Sequence, residues 1–80
     1  MVKGTNIRIA FGKTVQELRL DRNISQEKLA ELGDLDRSYI SEIENGDKTA
    51  SIVTVYKIAL ALDMKPSRLM QEMEKHFEFE

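Results

Sequence analysis

Residues 25–46 read SQEKLAELGDLDRSYISEIENG and carry the signals of two short helices. Ser25 and Asp36 are residue types that often begin helices, and each precedes apolar residues at helical spacing. Gly33-Asp34 and Asn45-Gly46 should end the two helices, because Gly, Asp and Asn tolerate the left-handed turn conformation. The stretch therefore predicts two helices joined by a tight turn, which is a helix-turn-helix.

The sequence before this motif predicts a first helix over about residues 6–22. Phe11, Val15 and Leu18 recur at i, i+4 and i+7, which places them on one face of that helix. Gly12 lies inside the same helix, where a glycine costs about 1 kcal/mol relative to alanine. We therefore expect Gly12 to permit a close contact with another helix.

The sequence after the motif predicts a fourth and a fifth helix. Ser51 is a capping residue for the fourth helix, and Pro66 is favoured in the first turn of a fifth helix over about residues 66–78. The apolar stripe predicted for the fourth helix comprises Ile52, Val55, Ile58, Ala59 and Leu62. Because no segment alternates apolar and polar residues, we expect an all-α domain of five short helices.

The length and composition of the chain predict one globular domain over residues 1–80, with the helix-turn-helix at about 25–45. Hydrophobic residues make up 41% and charged residues 32% of the sequence. The absence of cysteine excludes disulfides and thiolate metal sites. No apolar run approaches the roughly 20 residues that span a bilayer, and the N-terminus lacks a secretory signal. We therefore expect a cytoplasmic protein with no membrane partner.

The second helix of a helix-turn-helix is held so that its first residues reach base edges in a major groove about 12 Å wide. The residues predicted to contact bases are Arg37, Ser38, Tyr39, Ser41 and Glu42. Arginine can bond guanine through two N–H groups, serine can donate or accept, and glutamate can accept from the amino group of cytosine. These residue types on one helix indicate recognition of double-stranded DNA.

Binding to the phosphate backbone must rely on a few well-placed groups. The net charge is −2, with 12 basic and 14 acidic residues. Long-range electrostatic attraction between the whole protein and DNA should therefore contribute little to binding. The residues predicted to contact phosphates are Ser25, Gln26, Asn45 and Lys48. Gln26 stands at the start of a helix, where main-chain N–H groups also favour anions.

The quoted stretch resembles the phage-repressor and Cro (XRE) type of helix-turn-helix domain, and the resemblance extends over roughly residues 7–73. Phe11-Gly12 is similar to the first helix of that family, and residues 58–62 are similar to its fourth. The resemblance implies a five-helix, lambda-repressor-like fold and sequence-specific binding to duplex DNA, usually as a homodimer. Residues 35–41 are most similar to the controller proteins of restriction–modification systems, which regulate their own operon and the endonuclease gene. A Cro-like repressor remains an alternative.

The resemblance also implies that Arg19 and Glu44 pair across the first and third helices and brace the recognition helix. The alternative is two solvated surface charges, which contribute little to stability. Two departures leave the fold intact: Asp34 stands where the family usually has glycine, and Ala50 where it usually has proline. Asp47 lies in a loop that is often basic in the family, which leaves Lys48 as the cation of that loop.

The apolar stripe of the fifth helix extends further than a domain of this size needs for its core. The stripe predicted as a dimer interface comprises Met64, Leu69, Met70, Met73 and Phe77, with Phe79 beyond it. Core packing alone is the alternative explanation. We expect this face to join two copies of the chain, because one short recognition helix contacts too few bases by itself.

Catalytic and metal-binding chemistry finds little support in the sequence. No histidine lies near the serines of the motif to act as a base, and no glycine-rich phosphate loop is present. His76 follows Glu72 at i+4, but no second histidine exists to complete a metal site. We expect neither an enzyme nor a cofactor. The remaining alternative is an antitoxin-like or protein-interaction helix-turn-helix module. The net negative charge slightly favours this alternative, whereas Arg37-Ser38-Tyr39 on the recognition helix favours a DNA-binding regulator more strongly.

Overall fold

The computed structural model describes residues 3–77, which form five α-helices and no β-strand. The helices are α1 (Gly4–Asp21), α2 (Gln26–Gly33), α3 (Arg37–Glu44), α4 (Ile52–Ala61) and α5 (Pro66–Glu74). The prediction of an all-α, five-helix domain is confirmed. The first helix begins two residues earlier than predicted. The fifth ends at Glu74 rather than near residue 78, which, like Phe79, lies outside the described residues.

Serine side chains begin α2 and α4, as predicted. Ser25 Oγ accepts the N–H of Lys28 at 3.0 Å, and Ser51 Oγ accepts the N–H of Thr54 at 3.1 Å. Asp36 stands at the N-cap position of α3, as predicted, but its carboxylate forms no hydrogen bond to the helix. Because Asp36 is exposed, water can solvate its carboxylate in place of the N–H groups of the helix. Its main-chain oxygen still accepts N–H groups from the first turn.

Three helices end in a left-handed residue other than glycine. Asn23, Asp34 and Asp63, which follow α1, α2 and α4, have φ angles of 57°, 53° and 57°. Asn and Asp adopt this conformation more readily than other side chains. The tight turn after α2 therefore forms without a glycine at position 34, and the main-chain N–H of Leu35 donates back to the oxygen of Ala30 at 2.8 Å.

The core lies between the five helices: α3 packs against α1 and α2, α4 packs against α2, and α5 packs against α1 and α4. Its fully buried large side chains are Val15, Leu29, Ile40, Ile43, Ile58, Leu62 and Leu69. Gly12 allows α1 to lie directly on the end of α3, because a Cβ atom there would stand 2.3 Å from the main-chain oxygen of Ile43. The predicted close helix contact at Gly12 is confirmed.

Two predictions about apolar faces are wrong. Ile52, which was expected on the core stripe of α4, is 70% exposed, because it is the first residue of that helix and lies about 120° around the axis from Ile58. Leu69, which was expected at a dimer interface, is fully buried in the core of its own chain and cannot meet a second copy. Met70 and Met73 are partly buried against the same core. Met64 and Phe77 are also half-buried.

Candidate nucleic-acid interface

α3 has an apolar inner face and a polar outer face. Ile40 and Ile43 are fully buried beneath it, whereas Arg37 and Ser38 are exposed in its first turn. The remaining residues predicted to contact bases are half-buried at the edges of this face, namely Tyr39, Ser41 and Glu42. All five therefore lie on one eight-residue helix. We call them the α3 face, and their contacts with bases stay a prediction.

Arg19 and Glu44 join α1 to the end of α3 inside the protein. Arg19 donates from Nε to Glu44 Oε2 at 2.7 Å and from Nη2 to Oε1 at 3.0 Å. It also donates from Nη1 to the main-chain oxygen of Ile24 at 2.9 Å. The two charged side chains are 9% and 1% exposed. The hydrogen bond to Glu44 raises the pKa of Arg19 above its ordinary value, against the effect of burial. The brace that the resemblance implied is present.

Gln26 belongs to the same network, which the sequence did not indicate. Its Nε2 donates to Glu44 Oε1 at 3.0 Å, so three N–H groups converge on one carboxylate. The first residue of α2 is thereby tied to the last residue of α3. An amide carries a second N–H bond, and that group can still donate to a phosphate. The predicted phosphate contact of Gln26 is compatible with this geometry and stays a prediction.

The Tyr39 hydroxyl is directed towards the start of α4. It lies 3.4 Å from the main-chain oxygen of Thr49 and 3.4 Å from Thr54 Oγ1. Ser51 Oγ donates to Thr54 Oγ1 at 3.1 Å, so the hydroxyl of Thr54 can donate onward to Tyr39. Tyr39 would then donate its one proton to Thr49 and act towards DNA only as an acceptor or through its ring.

Two predicted DNA contacts, Lys48 and Glu42, lie close to each other. Lys48 Nζ stands 4.0 Å from Glu42 Oε2, and both side chains are about half exposed. An ion pair this long and this exposed contributes little to stability. Arg37 forms no ion pair with any residue of the described range 3–77. The guanidinium of Arg37, which is the one cation of the α3 face, therefore has no carboxylate partner within that range.

The loop that follows α3 is held from α1 by a residue that sequence reasoning missed. Arg8 Nε donates to the main-chain oxygen of Gly46 at 3.3 Å. Gly46 has a φ of 77°, and Ile9 leaves no free space beside its Cα atom. Asn45 and Lys48 stand on either side of this fixed glycine. The sequence does show that Arg8 is a basic residue near the start of α1, but it does not show which group Arg8 contacts.

The remaining candidate groups form no second site. His76 Nε2 lies 2.7 Å from Glu17 Oε2 on α1. Across residues 3–77, no group of three or more His, Asp or Glu side chains is arranged to hold a metal ion. Within that same range, no helix combines the length and the apolar character needed to cross a bilayer.

Comparison with known proteins identifies the family. The helix-turn-helix family profile matches residues 15–69, which include all of α2, α3 and α4. The chain belongs to the helix-turn-helix family. The control protein C.BamHI of Bacillus amyloliquefaciens is 47% identical over 66 residues, which make up 81% of this chain and 82% of that protein. The resemblance to phage-repressor-type domains, and to controller proteins among them, is confirmed.

Solved structures of this helix-turn-helix family include two controller proteins. The restriction-modification controller protein C.AhdI of Aeromonas hydrophila has a TM-score of 0.75 and 44% identity, over 78% of this chain and 94% of that one. The controller protein C.Esp1396I was solved as a tetramer in complex with its natural 35-base-pair operator. It has a TM-score of 0.82 and 26% identity, over 88% of this chain and 92% of that one.

Proposed function

We propose that this helix-turn-helix protein is a sequence-specific regulator of transcription that binds double-stranded DNA as a homodimer and controls a restriction–modification operon. The observation that carries the proposal is the α3 face, which presents Arg37 outward while Glu44 and Arg19 fix the helix from within. The controller proteins to which the chain is similar, one of them solved on its operator, support the same function.

Arg37 is the residue that best fits base recognition. It is the first residue of α3, where side chains of a recognition helix project into the major groove. Its planar guanidinium matches O6 and N7 of guanine through two parallel N–H bonds. Because no carboxylate within residues 3–77 pairs with Arg37, those N–H groups are available to a base.

The phosphate contacts of this regulator would come from both ends of the motif. Ser25 and Gln26 lie at the start of α2, whose first main-chain N–H groups favour anions. Asn45 and Lys48 lie in the loop that Arg8 holds. Since Lys48 is the one cation among these four groups, each protomer should release few counterions, and the dependence of affinity on salt should be shallow.

A second copy of the chain completes the proposed site. One recognition helix contacts only a few base pairs, so a dimer would bind two half-sites about 34 Å apart. The tetramer of C.Esp1396I on its operator supports assembly of several copies on one DNA. Sedimentation with and without operator DNA tests this directly, and a monomer at high micromolar concentration under both conditions would contradict it.

The test of base recognition is the Arg37→Ala variant, titrated by fluorescence anisotropy against the DNA upstream of its own gene. We expect a loss of about 1–3 kcal/mol per half-site, which is roughly 5-fold to 150-fold in affinity. Arg68→Ala is the matched control, because Arg68 is an exposed arginine on α5, away from the motif, and should leave affinity unchanged.

Operators substituted at each guanine separate the possible roles of Arg37. A loss confined to one guanine means that the arginine binds that base. An equal loss on every operator means that it binds a phosphate instead. If Arg37→Ala binds all operators as well as the parent protein does, α3 is not the recognition helix and the proposed function fails.

A further inference from the structure

An asparagine followed by a glycine lies at the end of α3, in residues 45–51, which we call the α3–α4 loop. Asn45 is exposed, and Gly46 follows it. The other asparagines of the chain, Asn6 and Asn23, are both followed by isoleucine. Asn45 therefore differs from them in the residue whose main-chain nitrogen stands next to its side-chain amide.

The pair Asn45-Gly46 can lose the side-chain amide of its asparagine without an enzyme, because glycine has no Cβ atom to hinder its own nitrogen. The main-chain nitrogen of Gly46 attacks Cγ of Asn45, so that an N–Cγ bond forms and the Cγ–Nδ2 bond breaks. The proton lost by the attacking nitrogen is matched by one gained by the departing NH2 group, which leaves as ammonia. Water then opens the cyclic imide at either of its carbonyl carbons and gives aspartate or isoaspartate, with no oxidant or reductant involved.

The folded α3–α4 loop holds Asn45 away from the geometry that this reaction needs. Asn45 has a ψ of −5°. Ring closure requires the nitrogen of Gly46 to eclipse the Cβ atom of Asn45, which is a rotation of ψ by about 120°, the projected spacing of the substituents on a tetrahedral Cα atom. The attacking N–H group is also engaged, because Gly46 donates it to the main-chain oxygen of Ile43 at 3.0 Å. Conformation therefore protects an asparagine that is open to solvent.

Three further contacts hold the peptide that would have to rotate. The main-chain N–H of Asp47 donates to the main-chain oxygen of Glu42 at 2.9 Å. Ile9 packs against Gly46, and its Cγ1 atom would stand 3.0 Å from a Cβ atom at that position. Half-buried Arg8 donates from Nε to the main-chain oxygen of Gly46 at 3.3 Å. The Arg8 bond is the contact that a substitution outside the loop can remove without changing a residue of the loop itself.

We propose that Asn45 is a deamidation site whose rate is set by opening of the α3–α4 loop, and that Arg8 keeps this loop closed. Deamidation adds a negative charge beside Lys48, at a position that should face a phosphate, and this consequence rests on the proposed function. Isoaspartate would also lengthen the main chain by one carbon atom immediately before Gly46. Either product weakens DNA binding, so the reaction limits the lifetime of the DNA-binding form of the chain.

The first test measures whether the fold protects Asn45. The parent chain is incubated at one mildly alkaline pH, folded and in urea, and loss of amide at each asparagine is followed by peptide mass spectrometry. In urea, Asn45 should react at least about 10-fold faster than Asn6 and Asn23, because their β-branched neighbours hinder the attack. In the folded chain, Asn45 should react at least about 10-fold more slowly than in urea, because only open molecules react. A folded chain that loses the amide as fast as the unfolded chain overturns the proposal.

The second test measures whether Arg8 controls the loop. In the folded chain, Arg8→Ala should raise the rate at Asn45 about 5-fold, which is the effect of one hydrogen bond on the fraction of open molecules. Arg68→Ala removes an exposed arginine of α5 and should leave the rate unchanged. If Arg8→Ala reacts as the parent chain does, Arg8 does not hold the loop closed and the proposal fails.

A core variant distinguishes opening of the loop from unfolding of the whole domain. Ile58→Val shortens a fully buried side chain of α4 and leaves Arg8 in place, so it lowers the stability of the domain but not that of the α3–α4 loop alone. We expect Asn45 to react in this variant as it does in the parent chain. A rate that rises in Ile58→Val as much as in Arg8→Ala would mean that global unfolding exposes Asn45, and the proposed control by the loop would be wrong.

The third test measures the consequence for DNA binding. Asn45→Asp carries the charge of one product, and Gln71→Glu makes the same change at an exposed position of α5. In fluorescence anisotropy with the DNA upstream of its own gene, Asn45→Asp should bind about 10-fold more weakly than the parent chain, because its carboxylate repels a phosphate. The difference should shrink as salt is added, since salt screens exposed charges. Gln71→Glu should bind as the parent chain does.

The rates and the affinities together separate this proposal from the proposed function. If the rates follow the expected order but the parent chain binds no DNA, the loop protects Asn45 and the proposed function fails. If the parent chain binds the operator and Asn45→Asp binds it equally well, the proposed function stands and deamidation does not limit DNA binding. If the parent chain binds the operator and Arg8→Ala does not change the rate, the proposed function stands and control by Arg8 is excluded.

Discussion

Glu44→Gln should destabilise the protein far more than its small change in shape suggests. Three N–H groups, two from Arg19 and one from Gln26, converge on the two oxygens of the Glu44 carboxylate. Glutamine keeps one of those oxygens and replaces the other with an NH2 group, which would face an N–H of Arg19. The guanidinium then remains buried without a negative partner, and its remaining acceptors are the amide oxygen of the glutamine and the main-chain oxygen of Ile24.

The size of the effect follows from burial. The Glu44 side chain is 1% exposed and that of Arg19 is 9% exposed, so water cannot replace the lost interaction. Removing one member of a buried ion pair typically costs about 3–5 kcal/mol. A domain of this length has a free energy of unfolding of about 4–12 kcal/mol, at roughly 0.05–0.15 kcal/mol per residue. Glu44→Gln should therefore lose a large share of the total stability.

Urea unfolding followed by circular dichroism, at one fixed protein concentration, measures this loss. Glu31→Gln is the matched control, because Glu31 forms an exposed ion pair with Lys28 at 3.7 Å, and we expect a change of at most about 0.5 kcal/mol. Replacing Arg19 and Glu44 together by leucine should cost less than the sum of the single losses. If Glu44→Gln costs no more than Glu31→Gln, the reasoning about the buried brace is wrong.

Gly12→Ala should lower the free energy of unfolding by about 2–3 kcal/mol, because its Cβ atom would lie 2.3 Å from a main-chain oxygen of α3. Gly4→Ala, with no atom within 4 Å, should change it little in the same urea assay. Tyr39→Phe should cost about 1 kcal/mol or less, since both hydroxyl contacts are long at 3.4 Å, and a larger loss would contradict the weak link. The Lys75 hydrogen bond lowers the pKa of Glu72 below its ordinary value of 4.5. The stabilisation by Glu72 is therefore present above that value and is lost as the pH falls through the lowered pKa. The difference in melting temperature between the parent and Glu72→Gln should vanish in acid, and a difference that persists there would exclude this origin.

The fold could be predicted from sequence because each helix carries its own local signals. Ser25 and Ser51 begin helices through a side-chain oxygen, and Asp34 ends one through a left-handed backbone. Such signals act within four or five residues of one another, so the printed order of residues is enough to detect them. The helix-turn-helix and the number of helices follow from these signals together with apolar spacing.

The errors concern which side of a helix faces the core, and they share one cause. α4 is apolar at nearly every position, so its periodicity does not distinguish Ile52, which is exposed, from Ile58, which is buried. The same difficulty affects α5, where Leu69 and Met70 are adjacent but only Leu69 is fully covered. Which residues of α4 and α5 are buried depends on packing against helices that are far away in the sequence, and a single sequence does not show that packing.

In the candidate site too, features set by neighbouring residues could be predicted, whereas contacts between residues far apart in the sequence could not. The residues of the α3 face follow from the helix that carries them, and they were predicted together. The contacts that position α3 come from elsewhere in the chain: Gln26 bonds to Glu44 over 18 positions, and Arg8 bonds to Gly46 over 38. The resemblance to a family supplied the Arg19–Glu44 pair, which spacing alone could not have indicated.

The acidic net charge and the rigid support of α3 are complementary features of this protein. With a net charge of −2, the molecule gains little from long-range attraction to DNA, so binding must depend on short-range contacts. Such contacts contribute fully only if the groups that make them are already ordered, because ordering on binding consumes part of the free energy. α3 is linked to the rest of the chain at its first turn by Tyr39 and at its last residue by Glu44, both through bonds within the chain. These bonds leave Arg37 exposed at the start of a helix that is already fixed, which is the arrangement that the proposed function requires of a weakly attracted protein.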